Sequence, residues 1–406
     1  MRTVAVLIFV ATYTLLAIGR LRPLRLDRTG IAIIGAALMI ATGVLSLPRA
    51  AEAVDYRTLV LLFGMMIVVA NLRLSGFFEL ITARVIRLAH SPAQLLAATV
   101  AATGGLAALF INDVVCLVLT PLVLVMTRQL QLPAVPFVLA VATAANIGSV
   151  ATITGNPQNM LIGSFSGLRY GQFAAHLAPV AVLGLFVDFA VLWTLYRREL
   201  ATPPRRAAGV PQRRRIHRPL LLKSVLTAAA TVLLFALGVD VSKVALGAAA
   251  VLLVTRRVRP EKIYREVDWT LLVLFIGLFV VVGGLEATGI EREWMAQLRS
   301  WRLDRPVPLA LVAVLFSNIV SNVPAVMMLK PFVSKLNHAP QAWLTVAAAS
   351  TLAGNLTPVA SVANLIVLEQ ARRAGVRISF GSYVRVGLPV TVLSLLCALA
   401  VLMVAT

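Results

Sequence analysis

The sequence predicts an all-α polytopic membrane protein with about 10 transmembrane helices in two inverted repeats, each carrying a re-entrant hairpin and a broken helix. Three observations predict it. Apolar runs recur from one end of the chain to the other, one long segment occurs twice in register, and polar clusters interrupt the apolar runs at matching places in both copies.

The 406 residues are 60% hydrophobic and 13% charged. A soluble domain carries about 25% charged residues, so the apolar excess belongs to many membrane spans and not to a single anchor. The net charge is +21. The basic residues sit in short loops between apolar segments, where they report orientation, and no nucleic-acid partner is expected. Cys116 and Cys397 lie inside apolar runs, which excludes a disulfide framework. His90, His176, His217 and His338 are scattered without metal-ligand spacing, so neither a metal centre nor a cofactor is expected. Arg2 followed by an apolar stretch imitates a signal peptide, but no A-x-A site follows, and residues 2–19 read as the first span.

Runs bounded by charges place spans near 3–19, 30–46, 57–76, 134–164, 173–195, 219–238, 243–255, 268–287, 341–370 and 379–405. With residues 20–28 in the cytoplasm, the loops at 77–92, 197–218, 256–266 and 371–378 fall on the same side. That side then holds roughly 26 of the 37 basic residues, the bias expected of a cytoplasmic face. Arg292, Arg299, Arg302 and Arg305 fall outside, partly offset by Glu291, Glu293 and Asp304. The chain is thus expected to be a multi-pass protein of the cell inner membrane with both termini on the outer side. The stretch 197–218, with Pro203-Pro204 and Arg213 to Arg215, reads as a basic cytoplasmic linker between a first repeat, 1–196, and a second, 219–406.

Residues 54–76, VDYRTLVLLFGMMIVVANLRLSG, are echoed without a gap by 267–289, VDWTLLVLFIGLFVVVGGLEATG. Shared composition matches valines and leucines by chance, but it does not place Asp55 over Asp268, Gly64 over Gly277 and Gly76 over Gly289. Further on, Asn112 corresponds to Asn322, Pro121 to Pro331, Thr152 to Thr357 and Asn159 to Asn364. The amphipathic stretch of the first copy falls inside and that of the second outside, so the repeats are inverted. Inverted repeats with discontinuous helices are a recurrent design of secondary transporters.

Residues 93–128 would extend roughly 54 Å as helix, short of the 60 Å that two crossings of a ~30 Å core require. A re-entrant hairpin with its tip at Asn112-Asp113 is expected there, with two full crossings as the alternative. A second is expected at 307–335, with its tip at Ser317-Asn318 through Asn322-Val323-Pro324. A carboxylate at the bilayer centre costs about 2.5–3.5 kcal/mol, which marks Asp113 as a proton- or cation-coupling group, an N-cap, or both. Asn146, Gly148, Ser149, Thr152, Thr154, Gly155, Asn156, Pro157 and Asn159 crowd one apolar run, 134–164. Gly354, Asn355, Thr357, Pro358, Ser361 and Asn364 crowd its counterpart, 341–370. Pro157 cannot continue a helical ladder, and unwound carbonyls with amide and hydroxyl oxygens suit a sodium ion or an oxyanion. Asp188 is expected as a proton relay or the partner of a base. Lys330 is expected to reach the interface or to pair inside the protein, and Arg73 and Glu286 to lie at span ends.

The motifs FINDVVCLVLTPLVL, ATAANIGSVATITGNPQNMLIG, SNVPAVMMLKP and NLTPVASVANLIVLEQARR, in that order, resemble the ion transporter superfamily of arsenite permeases, divalent anion:sodium symporters and citrate transporters. The resemblance covers nearly the whole chain. It implies a scaffold and a transport domain in each half, a homodimer, and binding of substrate and coupling ion at hairpin tips and helix breaks. By position, substrate is expected at Asn112, Asp113, Ser321, Asn322, Thr152, Asn156, Thr357 and Ser361. Ion coupling is expected at Asp113, Asn146, Ser149, Gly155, Asn355 and Asn364. The tips here read Ile111-Asn112-Asp113 and Ser321-Asn322-Val323, unlike the Ser-Asn-Thr tips of the dicarboxylate branch and closer to the arsenite-permease branch. The expected function is proton- or sodium-coupled transport of a small anion or oxyacid, arsenite-like, inorganic or carboxylate, with sodium/proton antiport as the alternative. A passive channel has no need of inverted broken helices, and the spans hold no paired catalytic groups for an enzyme.

Overall fold

The computed structural model describes residues 1–18, 26–88, 90–201, 216–254, 258–290, 293 and 302–404. Most of the basic linker, and with it Arg213 to Arg215, lies outside the described residues, as do Glu291, Arg292 and Arg299. The described chain is helical and holds no β-strand.

The first half runs α1 (Arg2–Ile18), α2 (Arg28–Ala41), the short α3 (Leu47–Ala53), α4 (Tyr56–Ser75) and the amphipathic α5 (Phe77–Leu88). A hairpin of α6 (Pro92–Leu109) and α7 (Asn112–Gln129) follows, then the broken pair α8 (Ala134–Ser149) and α9 (Pro157–Ser166), then α10 (Tyr170–Tyr196). The second half repeats the order with α11 (Arg218–Ala236), α12 (Val241–Leu253), the short α13 (Pro260–Tyr264) and α14 (Trp269–Glu286). Its hairpin is α15 (Pro306–Val320) and α16 (Asn322–Val333), its broken pair α17 (Ala339–Ala353) and α18 (Val362–Arg373), and its last helix α19 (Phe380–Val404). Helices α4, α6, α7, α10, α11, α14 and α19 are long and apolar enough to cross a membrane by length and composition. The remaining expected spans coincide with the shorter α1, α2 and α12 and with the two broken pairs.

The residues that made the repeat visible have assignable structural work. Asp55 and Asp268 are N-caps, accepting from the amides of Arg57 and Thr58 and of Leu271 respectively. Gly76 ends α4 in the left-handed conformation, at φ 86°, and Gly289 holds the equivalent turn at φ 67°. Gly64 and Gly277 mark reciprocal crossings between the halves. α4 packs on α12, and a Cβ on Gly64 would lie 2.7 Å from the Ala245 backbone. α14 packs on α2, and a Cβ on Gly277 would lie 2.8 Å from the backbone of Ala32. Each half's second helix thus clasps the other half's core helix, through the one residue type that allows backbone-to-backbone contact.

The remaining long helices assemble around the hairpins and breaks. α6 packs on α8 and α15 on α17 within each half, α7 meets α18 and α16 meets α9 between halves, and α10 pairs with α19. The turn of the first hairpin falls at Phe110-Ile111, with Asn112 and Asp113 already in the first turn of α7. The turn of the second is narrower than expected: α15 continues through Ser317 and Asn318 to Val320, and Ser321 alone makes the turn. Lys330 has a partner within the protein, at the end of α14. Its Nζ lies 3.1 Å from Glu286 Oε2 and 5.3 Å over the Phe165 ring, because α16 packs against α14 and α9 and brings the partners within reach. Arg73 likewise pairs with Glu266 across the halves.

Gly64→Ala and Gly277→Ala are each expected to destabilise the protein by roughly 1–3 kcal/mol, since the added methyl meets backbone that cannot yield. Thermal unfolding in detergent checks this, with Gly247→Ala, whose Cβ would meet nothing within 4 Å, as the neutral control.

Candidate functional site

Two tips and two breaks come together at one place, and the chain there solves the same problem twice. A break between helices leaves carbonyls without amide partners, which inside a membrane must be satisfied by the protein. In the first break α8 ends at Ser149, Ile153–Gly155 form one 3₁₀ turn, and Pro157 opens α9. Asn159 Nδ2 donates to the carbonyls of Ser149 and Thr152, both at 3.0 Å. In the second break Asn364 Nδ2 donates to the carbonyls of Gly354 at 2.6 Å and Thr357 at 3.2 Å. Ser149 and Gly354, and Thr152 and Thr357, occupy equivalent repeat positions, so one amide staples each break across the same gap. Only a donor can face these carbonyls, which assigns the nitrogen in both residues.

The breaks are also tied to one another. Asn156 Nδ2 donates to the Thr351 hydroxyl at 3.3 Å, and Ser361 Oγ donates to Asn146 Oδ1 at 3.2 Å. In the repeat register Asn156 equals Ser361 and Asn146 equals Thr351, so these two contacts are symmetry mates. Asn146 is the centre of the arrangement. Its Oδ1 also accepts from Asn112 Nδ2 at 3.1 Å, and its Nδ2 donates to Asn355 Oδ1 at 2.8 Å and Asn364 Oδ1 at 3.1 Å. All four of its hydrogen-bonding positions are filled by side chains of the first tip and the second break.

The remaining predicted residues divide between contact and support. Ser149 accepts from Asn156 at 2.9 Å and donates to the Asn146 carbonyl at 2.8 Å. Thr152 donates to the Ala108 carbonyl at the end of α6, joining the first break to its own tip. Gly155 passes so close to Ser149 that a Cβ would sit 2.2 Å from that carbonyl. Thr357 serves the network through its carbonyl. Asn322 stands beside Gly354 and Ser361, opposite Asn112 in the repeat. Ser321 adopts φ 78° and ψ 162°, a region that is almost exclusively glycine's and that stores strain at the tip. No hydrogen bond reaches the Asp113 carboxylate from the described residues, and it lies partly exposed at the α7 N-terminus. The sequence reading missed Thr351 and Gln158, which meet at 3.1 Å inside the second network. Thr351 was available as the repeat equivalent of Asn146.

Two features define what the junction can hold. The N-termini of α7, α9, α16 and α18 all end here, presenting partial positive charge from their free amides. Asn112 Oδ1 and Asn322 Oδ1, one on each tip, are buried acceptors without a partner, as are Asn318 Oδ1 and Ser317 Oγ beside the second tip. Asp113 is the one charged side chain within two turns of either tip or break. Lys330 comes eight residues after Asn322, roughly 12 Å along the helix, and is already paired with Glu286. The hairpin also stops at the level of the break: α7 and α8, of 18 and 16 residues, meet at Asn112 and Asn146. α9 then continues for about 15 Å beyond. The tip of the first hairpin therefore sits at the break between α8 and α9.

Inverted halves, hairpins that stop at helix breaks and a buried polar junction define a polytopic membrane transporter. The chain belongs to the citrate transporter family of the ion transporter superfamily, whose sequence model matches residues 13–353. It is 31% identical to the "46 kDa membrane protein" of Mycobacterium leprae, over 98% of this chain and 97% of that one. It is also 31% identical to the silicon efflux transporter LSI3 of Oryza sativa subsp. japonica, over 91% of this chain and 90% of that one. The fold is similar to the crystal structure of the Alcanivorax borkumensis YdaH transporter, at a TM-score of 0.62 and 17% identity, covering 99% of this chain and 97% of that one.

Asn146→Ala is expected to cost about 3 kcal/mol or more, since it strands several buried donors and acceptors at once. Asn146→Asp, which keeps the acceptor but loses both donor contacts, is expected to be no better tolerated. Ser321→Gly is expected to stabilise the protein by about 1 kcal/mol by removing the tip strain. Thermal unfolding of the purified variants measures all three.

Proposed function

We propose that the protein is a secondary active transporter of a small, uncharged oxyacid, coupled to the proton gradient by alternating access. The observation that carries this reading is the polarity of the junction. Its unpartnered groups are amide and hydroxyl oxygens, and it has one carboxylate and no cation. A di- or tricarboxylate would need basic groups to offset its charge. A neutral acid bearing several O–H groups instead finds acceptors at both tips and weakly positive helix ends for its oxygens. Arsenous and silicic acids are solutes of that kind, and the likeness to a silicon efflux transporter supports the same class.

The two staples bear on the coupling ion. Each break presents carbonyls of the sort that would ligate sodium, but an amide nitrogen already occupies the space between them. A proton asks less of this site than a metal cation, and Asp113 is placed at the tip to exchange one. The basic face of the chain lies in the cytoplasm in this reading, with both termini outside. Access alternates by movement of the hairpin-bearing helices α6–α10 and α15–α19 against α1–α4 and α11–α14.

Proteoliposomes under an imposed pH gradient test this with arsenous acid and silicic acid as solutes. Gradient-driven flux that collapses with a protonophore and survives replacement of sodium by choline is expected. Asp113→Asn is expected to lower it by about tenfold or more. Absence of gradient-dependent flux for both solutes, or strict dependence on sodium, would overturn the reading.

A further inference from the structure

One ionisable group deep in the molecule is not used by the tips or the breaks. Asp188, on α10, is fully buried, and neither carboxyl oxygen has a hydrogen-bond partner. Its place follows from Gly184, one turn earlier on the same face. A Cβ there would meet Ile147 of α8 at 2.7 Å and Ser394 of α19 at 3.6 Å, so this face of α10 looks into the seam between those helices. One turn along the seam stands Thr143 on α8, with Tyr383 also near the carboxyl, and Thr391 is one turn before Ser394 on α19. The hydroxyls of Tyr383 and Thr391 are buried without a partner, and that of Thr143 donates to the Leu139 carbonyl at 2.8 Å.

The groups facing Asp188 from its neighbouring helices include no cation. α6, α8 and α17 carry no titratable side chain, and α19 contributes Tyr383. Arg385 of α19 acts on Tyr196 at the far end of α10, and Lys223 of α11 donates to the Val254 carbonyl. Cys116 of α7 acts on Tyr383 from the hairpin side. An ionised carboxylate in such a place would have only neutral hydroxyls near it and no counter-charge, whereas the neutral acid leaves no bare charge in the seam.

Two short polar routes lead from this carboxyl to the junction. The Thr143 carbonyl accepts from Asn355 Nδ2 at 3.2 Å, and Asn355 is bonded to Asn146. On the other side Tyr383 stands next to Asn364, which is also bonded to Asn146. The seam and the solute site therefore share the same asparagines.

We propose that Asp188 is a second proton site, which stores the coupling proton in the seam while Asp113 exchanges it at the solute-facing tip. The inference rests on proton coupling as read above. In the closed arrangement the proton is bonded to the Asp188 carboxyl. When the seam opens to water the O–H bond breaks, the proton passes to water, and the carboxylate is hydrated. Reloading from the other side restores the neutral acid and permits closure. Because Asn355 and Asn364 contact both the seam and Asn146, opening at Asp188 and rearrangement at the tips are mechanically linked.

Two readouts test this on the full-length protein in lipid vesicles. Infrared spectroscopy at neutral pH is expected to show a protonated-carboxyl band that disappears in Asp188→Asn and persists in Asp113→Asn. This does not depend on any solute, so it stands or falls apart from the assignment of function. In flux assays, Asp188→Asn is expected to retain exchange of arsenous acid at equal concentrations within about twofold and lose pH-gradient-driven accumulation by about tenfold, with Asp188→Glu restoring part of it. If Asp188→Asn does not fold, Tyr383→Phe is expected to shift the pH dependence of flux while leaving exchange in place. A carboxyl band unchanged by Asp188→Asn, or wild-type accumulation in that variant, would overturn the proposal.

Discussion

The four hydrogen bonds of Asn146 are the interaction on which the rest of the structure depends. A helix interrupted inside a bilayer exposes backbone groups that lipid cannot satisfy. The chain interrupts two spans and two hairpins at the same depth, which multiplies the difficulty. Bringing all four interruptions together lets them satisfy one another, and Asn146 is the residue that contacts the first tip and both ends of the second break at once. Asn159 and Asn364 then close each break along its own length. Short amides suit this task because each supplies two donors and an acceptor on a nearly rigid plane.

The junction has the composition that the proposed movement needs. Its members are neutral, so they exchange partners without leaving a bare charge in the membrane. Its tips keep unpartnered oxygens and, at Ser321, a strained backbone, as the proposed binding of a hydroxylated solute would use. The scaffold supplies the opposite property. The crossings at Gly64 and Gly277 are backbone-to-backbone and reciprocal, so each half holds the other's core helix in a fixed position. Rigid crossings on one side and a neutral polar junction on the other suit the alternating access proposed above.

Much of this was legible along the chain. The gapless echo of 54–76 in 267–289 carried the repeat, because crossing glycines cannot be exchanged without loss of the contact and capping aspartates only for a few other short polar residues. The clusters around Pro157 and Pro358 carried the broken helices, since proline and glycine act locally. Less was legible where the answer depended on which helices become neighbours. Nothing along the chain pointed Lys330 to its partner Glu286, 44 residues away in sequence. Thr351 looked like one hydroxyl among many in an alanine-rich helix, although it meets Asn156 and Gln158. The turn of the second hairpin was read as several residues wide, and it is one residue, held by a backbone conformation that serine rarely adopts.

The sequence by itself determined the membrane setting, the number and inversion of the repeats, and which short segments break. These are properties of hydropathy, charge and local backbone chemistry, and they need no knowledge of the fold. Only the tertiary structure decided that each half's second helix clasps the other half, that Asn146 gathers the junction, and that Asp188 is enclosed without a partner in the seam of α8, α10 and α19. Those facts depend on contacts between residues far apart in the chain, which the identity of the residues permits but does not specify.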